Sequence, residues 1–486
     1  MIDHEGDDMK SYEKLYIGGQ WVAPVSPGRM VDVTDSATEA VVGQVVEGSA
    51  ADVDAAVAAA RGAFASWSST PSDVRSKYLR DIGAALGERS KDIAALIASE
   101  VGMPITSAEF IQAGLSIGDW ANYADALDSY EWEKQVGNSL VVKEPIGVIG
   151  CITPWNYPLF LTVCKVAPAL AAGCTVVLKP AAITPLNAFL LAEVLEQVGL
   201  PAGVFNLVTG PGSVIGAAIA AHPDVDMVSF TGSGPVGGEV ARAASGNFKR
   251  VHLELGGKSA NIVLDDADPA AIAPGAVFGC FLNSGQTCSA LTRVLVPRSR
   301  KQEFIDAIVA EASQARLVDP TVEDFDFFHA FGPLVSRQQQ ESVREYIQKG
   351  IDEGASLLVG GPEQPDEFPT GFYVKPTVFA DVTPDMTIAR EEIFGPVLSI
   401  IDYDDDDDAV RIANDSIYGL AGAVQSGDLE RAKAVARRMR TGQVDVNGGS
   451  FNPIAPFGGY KQSGNGRERG VYALDEYMEI KAMQLP

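Results

Sequence analysis

Apolar residues along the chain recur with two different periods. In "ADVDAAVAAARGAFASW" (51–67) they return every three to four residues, which predicts an amphipathic helix. Ser49 and Asp52 stand where a capping box would start it. Further helices are expected through about Trp120. From residue 146 the pattern changes to short, continuously apolar runs. "IGVIGCI", "CTVVLK", "VFNLV", "DMVSFT" and "RVHLEL" read as buried strands. Helices are predicted between them over 161–172, 185–198, 214–221 and 236–244. Strands alternating with helices indicate a doubly wound parallel sheet, which binds ligands at the carboxyl ends of its strands.

A second α/β region is expected from Gly257. It contains "NIVLDD", "TRVLVP", a helix over 301–315 and "VLSIIDY". The acidic run Asp404–Asp408 is read as the solvated approach to a helix starting near Ala409. Residues 123–144 and the C-terminal "YMEIKAMQLP" belong to neither block. They read as a hairpin and tail, or as an arm on a partner subunit. The domain plan is therefore 1–122 with 145–256, then 257–470, with 123–144 and 471–486 as the arm.

Composition narrows the function classes. With 486 residues, of which 46% are hydrophobic and 21% charged, the chain holds more than one ordinary globular core. A net charge of −27 disfavours nucleic acid and anionic lipid as partners. Five cysteines without a CxxC pair, and four scattered histidines, suggest neither a disulfide framework nor a zinc site; no metal is expected. "MIDHEGDDMKSYEK" lacks a basic start and an apolar run, so no signal peptide is predicted. No apolar run reaches transmembrane length. The expectation is a cytoplasmic protein with reduced thiols.

Several strand ends carry chemistry-bearing side chains. "FTGSGPVGG" (230–238) is a Gly-rich passage from strand to helix. It suits a pyrophosphate, or is simply a tight turn. Gly210–Gly216 repeats the theme one unit earlier. In "PWNYP", Asn156 offers an oxyanion donor or a turn residue. Lys179 ends "VLK", and Glu254 ends "HLE", as a base or a loop carboxylate. Cys288, in "NSGQTCSALTRV", is locally either a nucleophile on a shaped turn or a buried thiol.

Eight segments in order resemble the NAD(P)-dependent aldehyde dehydrogenases of the hydrolytic type. They are "PWNYP", "ALAAGCTVVLKPA", "FTGSGPVG", "LELGGKSANIV", "GQTC", "EEIFGPV", "YGLAGAV" and "PFGGYKQSGNGRE". The resemblance covers nearly the whole chain. It implies a cofactor domain, a catalytic domain and a small β oligomerisation domain, assembled as a homodimer or homotetramer. It implies Cys288 as nucleophile, Glu254 as general base, Asn156 in the oxyanion hole and Lys165 in proton handling. Glu468 matches a second acid near the site.

Cofactor contacts implied in the same way are Ile152, Thr153, Pro154, Trp155, Lys179, Ala182, Gly212, Gly216, Phe230, Thr231, Gly232, Ser233, Leu255, Gly256, Glu392 and Phe394. Tyr157, Leu161, Cys164, Phe451 and Phe457 are implied to line the substrate channel. The family often has Glu where this chain has Ala182; without it NAD is the first choice and NADP is also accepted. The mostly apolar channel set, with no arginine near "NYPLFLTVCK", points to uncharged aliphatic or aromatic aldehydes. Intact Glu254 speaks against a CoA-acylating enzyme, and intact Cys288, Glu254 and Asn156 against a silent relative.

Overall fold

The computed structural model describes residues 10–323 and 326–486. The first nine residues of the acidic N-terminal segment lie outside them. The fold is α/β, with two largely parallel sheets.

All five strands predicted from residue 146 form. Val148–Ile152 lies at the centre, with Thr175–Lys179 and Phe205–Leu207 on one side and Met227–Thr231 and Arg250–Glu254 on the other. All of these pair in parallel. Chain order therefore reverses between Val148–Ile152 and Met227–Thr231. Both faces of the sheet are covered, which is why the strands read as continuous apolar runs. Ile149, Cys151, Val176, Leu178 and Met227 pack into one core. Their alternate neighbours Val148, Ile152, Val177, Val228 and Phe230 pack into another.

The predicted elements shift at several points. The first helix does start at Ala50, and its capping box is formed: Asp52 accepts from the Ser49 N–H at 2.7 Å. The helix predicted from 161 begins at Pro158, because proline is well placed in a first turn. Residues 212–216 form a wide π-type turn before a short helix, Ala217–Ala221. The helix expected to end near Trp120 runs through Ser129, so residues 123–129 are helical rather than part of a hairpin. Residues 10–46, for which no strands were expected, form edge strands. Leu15–Ile17 adds antiparallel to Phe205–Leu207.

The second sheet has the order Ser356–Val359, Thr377–Ala380, Val397–Tyr403, Arg293–Pro297, Ala260–Val263, Gly422–Gln425, Asp445–Val446. The helix expected at Ala409 starts at Asp406, because Asp405 is the cap and accepts from the Asp408 N–H at 2.9 Å. Asp404, Asp406, Asp407 and Asp408 pair with Arg298, Arg431, Arg438 and Arg411. A third, antiparallel sheet joins Glu133–Val136, Ser139–Pro145 and Met478–Gln484. After the second sheet the chain returns to the first: Gly464–Asn465 pairs with Leu253–Glu254.

Candidate active site

Residues from both sheets and from the returning C-terminal segment converge at the carboxyl end of the first sheet. The Cys288 turn is the most constrained part. Asn283, Ser284 and Gly285 are all left-handed, with φ of 54°, 55° and 73°. Such a run is costly for non-glycine residues and persists only where surroundings fix it. Here they do. Asn283 Nδ2 donates to the Asn156 carbonyl at 3.0 Å, and Ser284 Oγ to the Gly332 carbonyl at 2.7 Å. Gln286, fully buried, donates to the Asn283 carbonyl at 3.1 Å and accepts from the Val335 N–H at 2.9 Å. Gly285 leaves no room for a side chain: a Cβ there would lie 2.1 Å from the Gly395 carbonyl oxygen.

Asn156 is buried, and its Nδ2 donates to the Gln286 carbonyl at 2.9 Å. An amide nitrogen carries two hydrogens. One therefore positions the Cys288 turn and the second is left for another acceptor. The Cys288 thiol is pushed up to about 12, by burial and by the charges of Glu392, Glu254 and Glu468. The other four cysteines are free and buried.

Glu254 ends its strand with 3% of its surface exposed. Burial and the neighbouring Glu468 push its carboxyl well above the usual carboxylate range, against the opposing Lys165 and Arg467. Its Oε1 lies 3.2 Å from His252 Nε2, while Oε2 is buried with no partner. Burial drives His252 down to about 4, so the ring facing Glu254 is neutral. His252 escaped the sequence reading, although residues two apart on a strand share a face.

Lys165 is fully buried. Its Nζ donates to Glu468 Oε1 at 2.7 Å and to Ser229 Oγ at 3.2 Å. Burial pushes the Glu468 carboxyl up, but the charges of Lys165 and Arg469 and the Lys165 hydrogen bond hold the group below its ordinary value.

Groups that could hold a phosphate-bearing cofactor gather near the point where strand order reverses. Ser233 caps Gly234–Ala244 through its backbone alone, with no side-chain hydrogen bond, leaving the first-turn N–H groups open to an anion. Gly232 adjoins this turn, where a Cβ would lie 2.6 Å from the Phe230 ring. Thr231 Oγ1 is buried and unpartnered. Lys179, 6% exposed, is pushed down to about 8 by burial, and its carbonyl accepts from the Thr153 N–H. Ile152 and Leu255 are buried on either side, while Ala182 is exposed. Gly212 is exposed and Gly216 buried. Glu392 accepts from the Gly257 N–H at 3.0 Å, and burial pushes its carboxyl up to about 7. A Cβ on Gly256 would lie 1.9 Å from Glu392, so only glycine lets this carboxylate approach. Phe394, left-handed at φ 58°, meets the Trp155 ring edge-on at 5.2 Å, next to Pro154.

A sequence model of the aldehyde dehydrogenase family matches residues 21–483. The chain belongs to the aldehyde dehydrogenase family. It is 48% identical to 3-succinoylsemialdehyde-pyridine dehydrogenase of a Pseudomonas species, over 98% of this chain and 99% of the relative. It is similar to aldehyde dehydrogenase C of Pseudomonas syringae, solved as a cysteine-to-alanine mutant with NAD+ and octanal. The TM-score there is 0.96 at 48% identity, covering 100% of this chain and 99% of that one. A Mycobacterium tuberculosis aldehyde dehydrogenase solved with NAD+ aligns at TM-score 0.95 and 46% identity, with 99% of each chain covered.

Of the anticipated channel residues in this family member, Tyr157 touches the thiol turn. Tyr157 and Leu161 are buried at the start of helix Pro158–Ala172, and the Tyr157 hydroxyl lies 2.8 Å from Thr287 Oγ1. Phe457 is backbone-paired with Glu468, and Phe451 is partly exposed. Two expectations change here. Cys164 is 1% exposed and faces Asp119 and Arg469 rather than open space, because its helix packs against Gly114–Ser129. An arginine does lie among these residues: Arg469 stacks on Phe451. It comes from the far end of the chain, where local reading around "NYPLFLTVCK" could not see it.

Proposed function

We propose that this chain oxidises an uncharged aliphatic or aromatic aldehyde to the carboxylic acid, with NAD as cofactor and Cys288 as nucleophile. The observation that carries the reading is the left-handed turn that presents Cys288, tied to Asn156 and flanked electrostatically by Glu254. With its thiol near 12, Cys288 must lose a proton in order to attack. That proton passes to solvent, and Glu254, with Oε2 free, is kept for the hydrolytic step. The thiolate adds to the aldehyde carbon. The second Asn156 N–H and the Cys288 backbone N–H stabilise the oxyanion, by about 3–4 kcal/mol per donor. The adduct on Cys288 passes to a thioester by loss of a hydride, for which bound NAD would supply the acceptor. Glu254 then takes a proton from water, which attacks the thioester and releases the acid.

Ser233 and the turn behind it would hold the pyrophosphate, Lys179 the adenine ribose, and Glu392 the nicotinamide ribose. NADP is also accepted in this reading, because Ala182 presents no carboxylate to repel a 2′-phosphate. The thiols and the acidic surface fit a cytoplasmic enzyme. Exposed Val136, Ile480 and Met483 on the third sheet, with Leu485 just beyond it, suit a second copy of the chain.

The test is an aldehyde panel assayed with NAD and NADP, wild type against Cys288→Ala. Acid should form, and the variant should be silent while still binding NAD. Turnover surviving in Cys288→Ala, or acyl-CoA replacing acid when CoA is added, would overturn the reading.

A further inference from the structure

Arg469 and Asp119 form a buried ion pair that the proposed chemistry does not use. Arg469 follows Glu468, is left-handed at φ 75°, and is 3% exposed; Asp119 is 2% exposed. The guanidinium is engaged on every side. Nη2 donates to Asp119 Oδ1 at 3.0 Å, Nε donates to the Pro453 carbonyl at 2.9 Å, and Nη1 lies 3.8 Å from Cys164 Sγ. Its carbon centre stands 5.0 Å from the Phe160 ring and 4.7 Å from the Phe451 ring. The second Asp119 oxygen accepts from the Cys164 thiol at 3.8 Å.

Burying two charges contributes little net stability compared with a well-packed apolar pair. What this pair does supply is position. Residues 468–470 hold the segment 451–457 at several points. Phe457 and Glu468 exchange backbone hydrogen bonds of 2.9 and 2.8 Å. Pro453 is held by Arg469, and a Cβ on Gly470 would lie 2.2 Å from the Ile454 carbonyl oxygen. Phe160, on the other side of the guanidinium, touches Tyr157, whose hydroxyl reaches the residue before Cys288. Asp119 meanwhile balances the arginine, so the wall carries no net charge.

We propose that the Asp119–Arg469 pair is a specificity-determining positioning device: it fixes Phe451 and its loop as an apolar channel wall and cancels its own charge, selecting extended uncharged aldehydes over carboxylate-bearing ones. This rests on the reading of Tyr157, Leu161, Phe451 and Phe457 as the substrate channel. A merely structural pair would leave selectivity alone.

Binding is measured by calorimetry in NAD-loaded Cys288→Ala protein, with octanal, propanal and succinic semialdehyde as probes. The comparison is with the same protein carrying Asp119→Asn and Arg469→Met together, so that no buried charge is stranded. Octanal should weaken by about tenfold or more and propanal by less than about threefold, since each methylene against a shaped wall carries discrimination. Arg469→Lys, which keeps the charge but not the planar stack, should keep the fold and still lose the octanal preference. Octanal and propanal weakened alike, neither weakened, or succinic semialdehyde bound more tightly than octanal by the Cys288→Ala parent would each overturn the proposal. Failure of the proposed dehydrogenase activity shows separately, in wild-type turnover against Cys288→Ala.

Discussion

Lys165 Nζ lies 2.7 Å from Glu468 Oε1, with both side chains removed from water and the two residues 303 positions apart in sequence. Removing one partner of such a pair strands a buried charge. Glu468→Gln should therefore destabilise the protein by about 3–5 kcal/mol, whereas Lys165→Met with Glu468→Leu should be far milder. Thermal midpoints of the three proteins check this. The pH sense follows from the lowered Glu468 value: its stabilisation is present above the ordinary carboxylate range and is lost as pH falls through the lower folded value.

Glu254→Gln should form a normal burst of reduced cofactor, then turn over more slowly by about a hundredfold or more, because only thioester hydrolysis loses its base. In wild type the carboxyl is raised, so its base form fills only as pH climbs above the usual carboxylate range. The kcat profile should rise with pH there, and Gln should abolish that limb. Stopped-flow absorbance reads both. Wild-type turnover in the variant would exclude Glu254 as the base.

Without cofactor, alkylation of Cys288 by iodoacetamide should accelerate steadily with pH toward about 12, because the thiolate is the reacting form. Mass spectrometry of the modified peptide follows it. A rate already flat at neutral pH would mean that burial and the surrounding carboxylates do not govern the thiol.

Ala182→Glu should raise the NAD to NADP ratio of kcat/KM by about tenfold, by adding a ribose acceptor that repels a 2′-phosphate. An unchanged ratio would show that position 182 does not contact that end of the cofactor.

Gly285→Ala should cost more than an ordinary surface change. It adds a Cβ at φ 73°, facing the Gly395 carbonyl at 2.1 Å. The turn must shift, so Cys288 reactivity should fall even in protein that still folds, as kcat measured per correctly folded molecule will tell. Native kcat in this variant would contradict so tight a turn.

Much of this was legible in the sequence. The five parallel strands announced themselves because a sheet covered on both faces must be apolar at every position. Segment boundaries were less legible. Asp405 caps a helix that composition placed at Ala409, since a run of aspartates reads alike as loop or first turn. The strands before residue 50 were missed because edge pairing, not local pattern, makes them. Family motifs brought Cys288, Glu254 and Asn156 to notice. His252 and Asp119 carry no motif, and the role of Arg469 depends on a partner 350 residues away.

Gly464–Asn465 pairs with the edge of the first sheet beside Glu254, and Glu468 follows immediately. During synthesis, the first sheet can form long before this segment emerges. Lys165 then lacks its counter-ion until a segment 303 positions further along the chain has returned to that sheet. Closing this buried pair is therefore a late event in folding, and the sheet must carry an unpaired lysine in its core until then.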